Sequence, residues 1–238
     1  MCTVSYIGFS DQIILTSNRD EQLSRPVATP PEFICENGIK IIFPRDPKAG
    51  GTWFIANSEA KVAILLNGAE KKHTPEFSYR KSRGLILMDI MKAENSFDKF
   101  SEIDLEAIEP FTIILFETGK LYQLRWNSIK KSVLHLNSTK NYIWSSSTLY
   151  DPKVILQREK LFYNFLKNNT SPKPEDVKNF HKSPGTDSMQ EGFIINREGN
   201  YKTFSITQVQ IQKNVLNFNH YDLLNDTASF HSMEITSN

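Results

Sequence analysis

The chain has 238 residues, 39% hydrophobic, 23% charged and 11% aromatic, which excludes a wholly disordered chain and suits one sheet-rich domain. Lys and Arg (28) nearly cancel Asp and Glu (27), and a net charge of +1 gives no overall field for a polyanion, so nucleic-acid binding is not expected. No apolar run approaches the ~20 residues of a membrane span, and Met1-Cys2-Thr3-Val4-Ser5-Tyr6 lacks the basic and apolar regions of a signal peptide, so the expected location is cytoplasmic.

Val4–Phe9 and Ile13–Thr16 flank the polar turn Ser10-Asp11-Gln12 and predict a hairpin beginning almost at residue 2. A terminus held in a sheet is unusual, because termini normally fray. Arg25-Pro26 to Pro31 is too rich in proline for a helix and reads as an extended surface segment. Strands are expected at Phe33–Glu36, Ile39–Phe43, Thr52–Ala56 and Val62–Leu66, with Gly50-Gly51 breaking the chain before Thr52. Ser82–Ala93 carries apolar residues at helical spacing, and Phe97, Phe100 and Ile103 continue into a second short helix that ends by Pro110. Phe111–Phe116, Leu121–Trp126, Val133–Leu136 and Tyr142–Trp144 predict an antiparallel meander. Asp151-Pro152 opens a helix as N-cap and first residue, with Val154, Ile155, Leu161, Phe162, Phe165 and Leu166 on its apolar face. Pro172–Phe180 is a weaker helix. Phe193–Asn196, Lys202–Ile211 and Val215–Tyr221 return to strand.

Residues 226–238 read as a loose polar tail, leaving one domain over residues 1–225. Strands, helices, strands, helices, strands is not the alternation of a doubly wound parallel sheet. Two antiparallel sheets with helices outside fit better. Val4, Ile7, Ile14, Ile64, Leu66, Phe111, Ile113 and Leu115 are the expected core.

Two cysteines, Cys2 and Cys35, are too few for a disulfide framework. Cys35 lies among apolar residues and reads as inert. Cys2 is different. Methionine aminopeptidase removes Met1 before a small residue, leaving a thiol and a free α-amine on one residue. The amine titrates near 7.7–8.0 and the thiol near 8.5, so the amine can take the thiol's proton. The plain alternative is a cysteine that is merely second in a strand. Asn18-Arg19-Asp20-Glu21 ends the second strand, close to residue 2 if the hairpin forms. Asn18 and Asp20 share one face and Arg19 takes the other. Arg19 could lower the thiol pKa and Asp20 could orient the amine, against the plain reading of a charged strand exit.

Gly50-Gly51-Thr52-Trp53 lacks the lysine of a phosphate loop and reads as a tight turn, with Trp53 in the core or as a ligand platform. Lys71-Lys72 and Arg80-Lys81-Arg83 read as a solvated loop cluster or an anion contact near a pocket. The histidines at 73, 135, 181, 220 and 231 show no metal-ligand spacing, and no metal is expected.

Met1-Cys2-Thr3, Asn18-Arg19-Asp20-Glu21, Arg25-Pro26, Pro44-Arg45-Asp46, Ala49-Gly50-Gly51-Thr52-Trp53, Asn67 and Ser82-Arg83-Gly84 together resemble the NRDE family, the transport and Golgi organisation protein 2 group. The resemblance is dense over residues 1–93. That family's N-terminus is in turn similar to the cysteine N-terminal nucleophile hydrolases of the choloylglycine hydrolase and penicillin V acylase type. The resemblance implies an α+β fold, the four-layer αββα sandwich. It also implies Cys2 as nucleophile, Asp20 beside its amine, and Asn67 as an oxyanion donor. Arg19 stands two positions from the hydrolases' arginine, a shift that keeps a strand face. Asn18, Trp53 and Ser146 are the expected binding residues. The pattern departs at Ser146, where a Ser/Thr-Asn pair is replaced by Ser145-Ser146, and at Asp187, where Gly-Thr-Arg would be expected.

Two functions follow as expectations. One is hydrolysis of a non-peptide amide through the N-terminal cysteine. The other is non-catalytic binding or trafficking of a small molecule, haem or a lipid or acyl-CoA, in the same cleft. No cofactor is required, and haem enters only as a candidate bound ligand. The expected partner is a small molecule, and the sequence carries no signal of oligomeric state.

Overall fold

The computed structural model describes residues 2–9, 11–185, 191–197 and 199–236. The expected hairpin is present: β1 (Cys2–Gly8) pairs antiparallel with β2 (Gln12–Gln22), Cys2 opposite Arg19 and Ile7 opposite Ile14. On its other edge β2 pairs along its whole length with β12 (Tyr201–Gln212). A strand so enclosed shows no solvent alternation, and residues 14 to 20 of β2 are all buried. The sheet runs β10 (Tyr142–Ser145), β1, β2, β12, β13 (Val215–Asp222), β14 (Thr227–Glu234), with β11 (Asn196–Arg197) also on β12.

A second antiparallel sheet runs in sequence order: β3 (Thr29–Glu36), β4 (Ile39–Arg45), β5 (Phe54–Asn57), β6 (Val62–Asn67), β7 (Phe111–Glu117), β8 (Lys120–Trp126) and β9 (Lys131–Leu136). The inner faces of the two sheets meet in one core in which Val4, Tyr6, Leu15 and Val209 join Phe54, Ile64, Ile113 and Leu115. Helices α1 (Arg83–Met91) and α2 (Ser96–Glu102) pack outside the second sheet, against β6 and β7. Helices α3 (Pro152–Asn168) and α4 (Pro174–Lys182) cover the first sheet, where Ile7, Ile14 and Ile143 pack with Phe162, Val177 and Phe193. The result is an αββα sandwich, and all eight expected core residues are buried.

Three readings change. The segment expected to be a loose tail contains β14, paired with β13 from Thr227 to Glu234. An edge strand with one face open tolerates the polar composition that made it look like a tail. β3 begins at Thr29 rather than Phe33, because Pro30-Pro31 falls at a register irregularity on an edge, where missing N–H donors cost little. Cys35 lies on that edge and is exposed rather than enclosed.

The glycine-bearing motifs have a shared cause. A Cβ on Gly51 would stand 2.5 Å from the Gly84 carbonyl carbon, and one on Gly84 would stand 2.8 Å from the Thr52 oxygen. The turn before β5 and the first turn of α1 therefore touch backbone to backbone, and Thr52 N–H donates to Gly84 O. Gly50, at φ +71°, makes the turn itself. Gly51→Ala should destabilise the fold by about 1–3 kcal/mol, since neither backbone can withdraw, read as a fall in the urea midpoint with an unchanged slope.

Candidate functional site

Three consecutive buried polar residues of β2 divide between the two faces of its sheet. Asn18 and Asp20 point toward the outer helices, Arg19 toward the second sheet. Asn18 Nδ2 donates to His181 O and Phe193 O, both at 2.9 Å. That leaves Asn18 Oδ1 to accept from His181 Nδ1, so His181 Nε2 accepts from Ser5 Oγ at 2.7 Å. Ser5, His181 and Asn18 are fully buried, and none of them lines either of the two cavities described below. The chain is a strut tying β1 and β2 to α4, and Asn18, expected to bind ligand, has its amide filled within it.

Asp20 accepts from Tyr150 Oη at 2.6 Å and from Thr203 Oγ1 at 2.7 Å. Burial holds its carboxyl above the ordinary carboxylate range, against the pull of the nearby Arg158 cation and of those two donors. Arg158 sits on α3 with its guanidinium 3.6 Å from the Tyr150 ring centroid, donating to Thr3 Oγ1, Glu191 O and Gly192 O. On the opposite face, Arg19 Nη2 donates to Asp46 Oδ2 at 2.9 Å, and the Arg19 guanidinium lies 4.6 Å from the Trp53 ring centroid. Arg25 Nε donates to the same Asp46 oxygen at 2.9 Å, while Asp46 Oδ1 accepts from the Lys48 and Ala49 N–H groups. Although burial opposes it, the donors Arg25 and Ala49 and the charge of Arg19 hold the Asp46 carboxyl below its usual range.

Beside this cluster opens a cavity of about 710 Å³, walled by Arg19, Trp53 and Asn67 together with the loop before α1. Asn67, at the end of β6, presents a side-chain amide without a hydrogen-bond partner among the described residues, while its carbonyl accepts from Ser146 Oγ at 2.7 Å. Ser146 is buried and also bonded to Thr148 Oγ1 at 2.9 Å. It lines a separate cavity of about 200 Å³ rather than the large one. Arg83 and His73 meet across Glu109, at 2.9 and 3.3 Å. Asp187 lies outside the described residues.

The family model for "Transport and Golgi organisation 2" matches residues 1–215. The chain belongs to that family. By fold it is similar to an N-acylethanolamine-hydrolysing acid amidase orthologue of Caenorhabditis elegans, at TM-score 0.61 and 13% identity over 87% of this chain and 92% of that one. It is also similar to a mutant conjugated bile acid hydrolase of Clostridium perfringens, at TM-score 0.57 and 11% identity over 99% and 97%. No curated protein matches the chain by sequence. The fold of this Transport and Golgi organisation 2 member is thus that of the N-terminal nucleophile hydrolases. No helix among the described residues is long and apolar enough to cross a membrane.

Sequence reasoning grouped Arg19, Trp53 and Asn67, and the structure brings them to one cavity. It quoted Asp46 without a role, weighed His181 only as a metal ligand, and passed over Tyr150, Thr203 and Arg158. Only Arg158 carried a readable signal, an arginine between Val154 and Phe162 on a buried helical stripe.

The strut has a measurable consequence. Burial and the Arg158 charge lower His181 to about 3. An unfolded histidine takes a proton near 6.5, so stability is full above that pH and is lost as pH falls toward 3, by on the order of 5 kcal/mol at the acid limit. His220, lowered by burial to about 4, adds in the same direction. Urea midpoints measured between pH 7.5 and 4 should fall steeply in the wild type and less steeply in His181→Gln.

Proposed function

We propose that this chain is an amide hydrolase acting on a non-peptide C–N bond through Cys2 after removal of Met1. One observation carries the reading: Arg19, the ladder partner of Cys2, and Asn67, with its unpartnered amide, line the same cavity from opposite sheets. The similar folds named above, both of hydrolases, add support.

In this reading the Cys2 α-amine takes the thiol proton and the sulfur attacks the amide carbonyl. The Asn67 amide receives the developing oxyanion. Collapse transfers the proton to the departing nitrogen, breaks the C–N bond and leaves a thioester. Water, deprotonated by the same amine, attacks the thioester, releasing the acid and restoring the thiol. Arg19 favours the thiolate electrostatically, and Asp20, held by Tyr150 and Thr203, keeps a carboxyl on the outer side of the same strand.

A second reading, binding or carriage of a small hydrophobic molecule such as haem or an acyl-CoA without cleavage, is favoured by Ser146. Its hydroxyl is spent on Asn67 O and Thr148, so it adds no second oxyanion donor. One missing donor can cost about 10²–10³ in rate.

Mass spectrometry of the native protein should find Met1 absent. In a Cys35→Ser background, which silences the exposed thiol, iodoacetamide should label Cys2 rapidly at neutral pH. Turnover of N-acylethanolamine-type amides should vanish in Cys2→Ala and fall by about 10²–10³ in Asn67→Ala. Quantitative retention of Met1 would acylate the amine that this reading uses as its base and sink hydrolysis, leaving the second reading. Saturable haem or acyl-CoA binding without amide turnover would favour carriage.

A further inference from the structure

The wall of the large cavity carries more positive charge than the fold consumes. Six cationic side chains line it, Arg19, Arg25, Lys48, Lys72, Lys81 and Arg83, against three carboxylates, Glu21, Asp46 and Glu109. All three carboxylates are answered from within. Asp46 is paired by Arg19 and Arg25, Glu21 lies 3.6 Å from Arg19, and Glu109 is paired by Arg83. Lys81 pairs with Asp89, outside the cavity. Lys48 and Lys72 have no carboxylate partner among the described residues. In a chain of net charge +1 this surplus is local.

The second observation is independent of charge counting. Among the described residues, Arg19 Nη1 and Trp53 Nε1 are both buried and both without a hydrogen-bond partner. Arginine is 3% and tryptophan 6% exposed here, and the guanidinium carbon stands 4.6 Å from the indole centroid, so the two orphaned groups belong to one cluster. Neither side chain can accept a hydrogen bond, so what would complete both is an acceptor. Buried orphans of this kind are rare and call for a missing partner. A water could fill one, but beside two unanswered lysines an oxyanion satisfies the donors and the surplus charge together.

We propose that the cavity takes a ligand bearing an oxyanion, a carboxylate or a phosphate, received at the Arg19–Trp53 pair and drawn in by Lys48 and Lys72. The inference rests on the proposed use of this cavity as a substrate site and names the substrate's chemical class, an anionic rather than a neutral amide. Asp46 is the positioning residue. By holding Arg19 through Nη2 it leaves Nη1 to the ligand.

The test uses the full chain as Cys2→Ala, so that binding is read without turnover. Isothermal titration compares N-lauroylglycine with N-lauroylethanolamine, which share an acyl chain and an amide and differ in the terminal carboxylate. Inorganic phosphate forms a third arm. The glycine conjugate should bind at least about tenfold more tightly than the ethanolamide, as expected for a charge-assisted hydrogen bond. Trp53→Phe, which keeps a ring and removes the N–H, should erase most of that preference while leaving the neutral amide unchanged. Lys72→Gln, on an exposed loop where folding is not at risk, should weaken only the anion and reduce its salt dependence. Competition by phosphate would identify a phosphate site, and its absence alongside tight glycine-conjugate binding a carboxylate site. Equal affinities for the two amides, no binding of either, or variants that affect both alike would overturn the proposal. Failure of the hydrolase reading would look different: no turnover by the wild type, with the anion preference intact.

Discussion

Asn18, Arg19 and Asp20 are three adjacent polar side chains with almost no exposure, and most of the architecture around them answers that constraint. A buried polar group without a partner costs about 1–3 kcal/mol, more when charged. Each must therefore be met, and the period of a strand sends neighbours to opposite faces. The partners come from distant parts of the chain: α4 and Phe193 for Asn18, the turn after β4 for Arg19, and Tyr150 with β12 for Asp20. These contacts close the sandwich at the end where the chain begins. Through His181, which bonds Ser5, the same network ties β1 to α4.

The two faces carry different chemistry. On the outer face the partners are two hydroxyl donors, two backbone carbonyls and a histidine kept uncharged, and Asn18 lines neither of the two cavities described. On the inner face Arg19, Arg25 and Asp46 form an ion cluster open to the large cavity. Pairing of Arg19 with Asp46 does not exhaust the guanidinium, which offers five donors in a fixed fork. A lysine at position 19 would put its charge in the same place, but it could not hold Asp46 with one edge and present another to a ligand.

Much of the fold was legible because its periods are plain. The continuous apolar runs of β6 and β7 and the helical spacing of α1 need no tertiary information. The alternation of Asn18, Arg19 and Asp20 could be read from strand geometry alone, whereas Trp53 and Asn67 stood out through the family blocks they belong to. What stayed hidden depends on long-range partners. Nothing local to Tyr150 or Thr203 says that each bonds Asp20, 130 and 183 residues away in sequence. β14 was missed because an edge strand has the composition of a tail. Ser146 could be seen as a departure from the pattern, but that its hydroxyl would be turned to the Asn67 carbonyl required the fold.

Arg158 is where the outer network meets the start of β1. A guanidinium buried to 1% exposure without a direct carboxylate contact among the described residues is costly, and three oxygens together with the Tyr150 ring offset that cost. Its charge acts on two neighbours in opposite senses. It favours the ionised form of Asp20, which burial disfavours, and it adds to burial in keeping His181 neutral. The same cation donates to Thr3, next to Cys2. One side chain on α3 therefore acts on the carboxyl behind the strand, adds to the neutrality of the strut and bonds the residue after Cys2. Loss of its charge would reach all three at once, whereas loss of Asp46 would be felt on the cavity side alone.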